Sequence, residues 1–257
     1  MGAAVSAPFP SVRPKEGTVA DQTWERRLRH ALLRMTFGCN LLPFRQLHRA
    51  LLQHASDDPI YQALVQLERS FDLGRGFLVG LWFNESDWSF VIKAHALLEA
   101  ATTQLLANHL GAPGLTDTLA CLPQSDPRSG RLAFLRALEL LDEGELRFIQ
   151  KFSELRNKLA HNVHNTRFTF VDHLATLPHP EEQFAEWVAF AGKDPAALSR
   201  RRHYALSAPK TELWLSVMYI LARCEQRKID AQDRQRQIAA ALKLLAESTE
   251  GSDDEED

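Results

Sequence analysis

Apolar residues recur three and four positions apart along most of this 257-residue chain, the spacing of one face of an α-helix, and no stretch alternates as a strand would. The pattern predicts amphipathic helices over residues 21–37 and 43–54, separated by GCNLLP, and a third opened by Asp58 and Pro59 that runs to about Phe71. After a break at Gly74–Gly76, Ser86 or Asp87 caps a long helix that ends at Gly111 and the Pro113–Gly114 pair. The turn-rich PQSDPRSG leads into a helix over 131–142, and the next helix carries Phe148, Phe152, Leu155 and Leu159 on one stripe. Residues 162–170 read as extended, 171–177 as a short helix and 179–193 as another amphipathic one. Pro209 opens a segment over 210–248. Its first half is rich in large apolar side chains, and its second half keeps only a narrow stripe at Ile238, Leu242 and Leu245. The fold class is all-α, with no internal repeat and no heptad array long enough for a coiled coil.

By this pattern residues 1–20 form a flexible arm, 21–83 the N-terminal helices, 84–178 a helical core, 179–248 a C-terminal helical extension and 249–257 an acidic disordered tail. The large apolar side chains of 213–221 are read as a surface for a homodimer.

Polar groups on these apolar stripes change the picture. Arg156 follows Phe152 by four positions, at the edge of a buried stripe, so it needs a partner. Asn157 and His161 are four apart and share a face near the end of that helix. Glu99 lies seven residues after Ile92 and seven before Leu106, on what reads as a core face. An unpaired carboxylate there is costly, so a pair with Arg156 is expected. His95, four residues before Glu99, is placed to hydrogen-bond it.

Composition narrows the function classes. The longest apolar run, GFLVGLWF at 76–83, is far below the ~20 residues that span a bilayer, and the N-terminus lacks the basic start and apolar core of a secretory signal. Residues 1–6 match the short Met-Gly-x-x-x-Ser pattern of myristoylation. Cys39, Cys121 and Cys224 lie far apart in apolar helical contexts and read as reduced core residues of a cytoplasmic protein. Formal net charge is −3, but the five acids at 253–257 contribute −5 of it, which leaves +2 on residues 1–252. That balance excludes a dedicated nucleic-acid binder, so any such contact falls to a local patch; Arg200, Arg201 and Arg202 are the clearest run, on a solvated helix turn. His161, His164 and His173 lack the further ligands of a metal site, DLGRGF lacks the lysine and strand of a phosphate loop, and no cofactor is called for. Trp82, Trp88, Trp187 and Trp214 fall in apolar patterns and read as core.

Arg156-Asn157 followed by His161 resembles the Arg-Asn-x-x-x-His signature of the HEPN superfamily. The order of SFVIKAHALLEAATTQLL at 89–106, RLAFLRALELLDEGELRFIQKFSELRNKLAH at 131–161 and FTFVD is similar to the mannitol operon repressor family, whose fold is HEPN-like; the likeness covers roughly residues 86–175. It implies a HEPN-like helical bundle carrying additional N- and C-terminal helices, and two classes of function. One is a regulatory, stress or defence protein that binds nucleic acid or a protein partner such as an antitoxin. The other is a metal-independent endoribonuclease whose site forms in a dimeric cleft. There His161 would act as general base or acid, Arg156 would stabilise charge on the phosphorane, and Asn157 would orient the histidine or the phosphate.

Overall fold

The computed structural model describes residues 59–250 apart from Pro127, Asn162, Gly192 and Lys193. The helices expected over 21–37 and 43–54, Gly2, Cys39, the Asp58 cap and residues 251–257 lie outside them. Residues 1–63 form one unit, of which only the first turn of a helix is described, and Leu64 onward packs as a second.

The described residues hold ten α-helices and no strand, in keeping with the all-α class. These are α1 (Pro59–Ser70), α2 (Phe77–Phe83), α3 (Asp87–His109), α4 (Thr116–Ala120), α5 (Arg131–Ala137), α6 (Glu143–Ala160), α7 (Phe170–Thr176), α8 (Glu186–Val188), α9 (Pro195–Ser207) and α10 (Pro209–Glu250).

Helix α3 begins where the sequence says it should. The Ser86 hydroxyl accepts from the Ser89 backbone N–H at 3.2 Å, and the helix ends as Gly111 turns into the left-handed region at φ 66°. Removing this cap with Ser86→Ala is expected to lower stability by about 1 kcal/mol, read as a melting temperature lower by about 2–4 °C.

Helix α3 is the centre of the body, packed against α10 on one side and α6 on the other. That placement explains its burial on several faces at once, through Phe90, Val91, Ala94, Leu97, Leu98, Ala101 and Leu105. Phe90 meets Phe152 of α6 and Phe170 of α7 edge-on, with ring centroids 6.5 and 6.1 Å apart. From the other side Trp214 stacks on Trp82 at 5.2 Å and donates its indole N–H to the Leu78 carbonyl at 2.8 Å.

Packing corrects several expectations. Leu213, Trp214, Val217, Met218 and Leu221 are buried inside this body, so residues 213–221 are core and present no dimer surface. Residues 209–232 are thus part of the same core as α3, and the expected division into a core and an extension does not hold there. Helix α5 stops at Ala137 because Glu139 takes a left-handed conformation, φ 53°. Residues 163–167 form a 3₁₀ turn where an extended segment was expected, and 181–188 form a π turn running into one turn of α-helix. Trp88 is half-buried, while Trp82, Trp187 and Trp214 are core. Cys224 is buried, which pushes its thiol pKa up, but Cys121 is exposed at the end of α4 and is no core residue. No helix among the described residues is long and apolar enough to cross a membrane.

Candidate functional site

The capped N-terminus of α6 sets the register of the motif helix. Glu145, at its third position, accepts from the Asp142 backbone N–H at 2.7 Å and from Arg223 Nε of α10 at 3.1 Å. From that anchor Leu146, Phe148, Ile149, Phe152, Leu155 and Leu159 all face the core. Arg156 is therefore held at the boundary, 31% exposed, while Asn157 and His161 face outward.

Glu99 lies across from Arg156 on α3. Its carboxylate is 29% exposed, so it sits at the edge of α3's buried faces and not within one, as the seven-residue spacing had suggested. Two arginines share it. Arg156 Nη2 is 3.5 Å from Oε2, the expected pair, and Arg131 Nη2 donates to Oε1 at 2.7 Å. Arg131 is buried and also donates to Thr103 Oγ1 at 2.8 Å, which makes it the closer partner. The one local signal for this pairing across 32 residues is a charged side chain four positions before Leu135, on a buried stripe. The turn before α5 positions it: a Cβ on Gly130 would lie 2.5 Å from the Asp126 carbonyl oxygen, so only glycine allows the close approach that delivers Arg131.

His95 ties the group together. Its Nδ1 lies 3.3 Å from Glu99 Oε2 and accepts from Arg156 Nε at 3.2 Å; its Nε2 is 3.0 Å from Ser153 Oγ, which donates to the Ile149 carbonyl at 2.7 Å. The Ser153 hydroxyl is committed to Ile149, so His95 Nε2 donates to it, while Nδ1 faces both Glu99 and Arg156 Nε and either accepts from the arginine or donates to the carboxylate, according to whether it carries a proton. Burial works to raise the Glu99 carboxyl, but the hydrogen bond and charge of His95 and the charges of Arg131 and Arg156 outweigh it and hold the group below its ordinary value.

Arg156 has a further neighbour in Asn157, whose Oδ1 accepts from Nη1 at 2.9 Å. The amide thus orients the arginine and not the histidine. His161 is the C-cap residue of α6, exposed, and stands outside this network. The carbonyls at the end of α6 are satisfied elsewhere: Trp88 Nε1 donates to Leu159 O at 3.2 Å and Asn165 Nδ2 to Lys158 O at 2.7 Å. Around this end Lys158, His161, His164 and Arg167 are exposed together. Burial, then the charge of Lys158, draws the His173 imidazole below its ordinary pKa, which puts His173 beside this basic rim.

The run Arg200–Arg202 does not form a patch. Arg200 and Arg202 are exposed on α9, but Arg201 turns inward, ion-pairs with the buried Glu212 of α10, and donates to Ala191 O at 2.5 Å. It is a structural cation, because one helical turn cannot present three consecutive residues to the same side. The described residues hold no cluster of three His, Cys, Asp or Glu that would bind a metal ion.

No protein-family model matches this chain, and neither the curated proteins nor the solved structures compared with it give a match.

Proposed function

We propose that the chain is a HEPN-like regulatory or stress and defence protein that works by binding nucleic acid or a protein partner at the α6 terminus. The observation that carries this reading is the engagement of Arg156. Its Nε bonds His95, its Nη1 bonds Asn157 and its Nη2 faces Glu99, so each guanidinium nitrogen already has a polar neighbour with which a phosphate would have to compete. Lys158 and Arg167, exposed beside His161 and His164, supply the attraction for an anionic partner without that competition.

The second reading, a metal-independent endoribonuclease acting in a dimeric cleft, draws on the exposure of His161 five residues after a partly exposed Arg156. One experiment separates the two. Wild type and His161→Ala are incubated with a mixed RNA pool in EDTA, and bound RNA and fragments ending in 2′,3′-cyclic phosphate are both measured. The binding role predicts no fragments, and RNA affinity about tenfold weaker in a Lys158→Glu/Arg167→Glu variant at constant salt. Fragments made by the wild type and absent with His161→Ala would replace it with the nuclease. Absence of both fragments and RNA binding leaves a protein as the partner.

A further inference from the structure

Helix α10 is longer than the body it packs on. Its last tethers to α3 are Gln232 Nε2 to Asn108 Oδ1 at 2.8 Å and Gln235 Nε2 to Asn108 O at 2.7 Å, at the very end of that helix. From Gln235 to Glu250 α10 runs on by about 22 Å, four turns, and every residue from Asp233 to Leu245 is exposed.

This overhang is not polar all round. Cys224 and Ala231, buried against the body, are followed at the same seven-residue interval by Ile238, so the face that is core below continues upward. With Leu242 four residues on, the stripe keeps the three-and-four spacing of a helix–helix seam, and Ala239 and Ala241 flank it. Ile238 is 53% exposed, Leu242 62% and Leu244 67%. A projecting helix of this length is marginal alone in water, and the apolar stripe gives it a reason to be covered.

Charge selects the occupant. Residues 233–245 carry three cations, Arg234, Arg236 and Lys243, against one acid, Asp233, which pairs with Arg236 on its own helix at 3.0 Å. Residues 246–257 carry seven acids and no cation. The overhang is therefore basic at its base and carries Glu247 and Glu250 near its end, with five more acids following in the sequence, a charge order complementary to its own reverse.

The geometry points to a second copy of this chain, docked antiparallel along the overhang so that Ile238 and Leu242 of the two copies form one seam. Arg234 and Arg236 of each copy then lie toward the acidic end of the other. A parallel pair would set the two acidic ends side by side and is disfavoured. This interface uses neither the α6 terminus nor residues 213–221, so it stands independently of the function proposed above.

The test is the mass of the full chain by light scattering and sedimentation across about 1–200 μM. The expected result is a concentration-dependent dimer whose Kd rises at least tenfold in Ile238→Glu/Leu242→Glu, with the circular dichroism and melting temperature of the body unchanged. Removing residues 251–257 discriminates orientation: an antiparallel pair weakens because it loses attraction, and a parallel pair tightens because it loses repulsion. A wild-type monomer throughout this range, a dimer indifferent to the double substitution, or a dimer tightened by the truncation each overturns the proposal.

Discussion

Arg201→Ala is expected to destabilise the protein by about 3–5 kcal/mol at pH 8, a fall in melting temperature of about 10 °C or more, and by much less at pH 5. Glu212 is fully buried, and beyond its ion pair with Arg201 neither carboxylate oxygen has a hydrogen-bond donor. Burial therefore dominates and raises its pKa to about 7, although the charge of Arg201 works the other way. In the unfolded chain the same group titrates near 4.5. Between those values the folded protein holds a proton that the unfolded chain has released, so stability falls as pH rises through this window. Above it the folded state carries a buried carboxylate that only Arg201 offsets. Without the arginine, the folded pKa moves higher still and the penalty extends past pH 7, whereas at pH 5 the neutral acid loses little. Urea unfolding at both pH values reads the difference, and Glu212→Gln should flatten the pH dependence between 5 and 7. An equal loss at both pH values would show that the role of Arg201 is packing and not charge.

Glu99→Ala is the second large effect, about 3 kcal/mol, at the low end for a broken ion pair because the carboxylate is 29% exposed. The loss arises mainly at Arg131, which is left buried with Thr103 as its remaining side-chain acceptor and with Nε already unpartnered. Adding Arg131→Met should recover most of it, since removing both charges removes the unpaired one. The sign with pH is opposite to that of Glu212. The Glu99 carboxyl is held below its ordinary 4.5, so its contribution is present above that value and is lost as pH falls through the lower folded value. The same substitution frees Arg156 from its carboxylate. Under the proposed binding role RNA affinity then rises a few-fold, and unchanged affinity would mean that Arg156 does not face the RNA.

These two clusters show how the sequence and the tertiary structure divide the work. The helices were legible because their signals are local: Ser86 before an apolar stripe, Gly111 after it, and the stripe of Phe148, Phe152, Leu155 and Leu159 each act within a few residues. The pair of Glu99 with Arg156 and the place of His95 beside it were also legible, because a charge at the edge of an apolar face must find a partner. Which partner lies closest was not. Arg131 reaches Glu99 only because the tight turn at Gly130 brings the start of α5 against α3, and nothing in the spacing of residues 99 and 131 states that.

The three arginines at 200–202 looked alike in sequence, yet one is buried and two are exposed, since burial depends on where α10 delivers Glu212. The apolar residues of 213–221 posed the same problem in reverse: periodicity identifies a face to be covered but does not say whether the cover is the same chain or another. By itself, then, the sequence determined the all-α class, the helix ends set by local caps and the motif's place at a helix boundary, because hydrogen-bonded caps and periodic apolar faces are short-range properties. Only the tertiary structure decided the partners of Glu99, the burial of Arg201 and the projection of α10 past α3, because each depends on the packing of elements far apart in the chain.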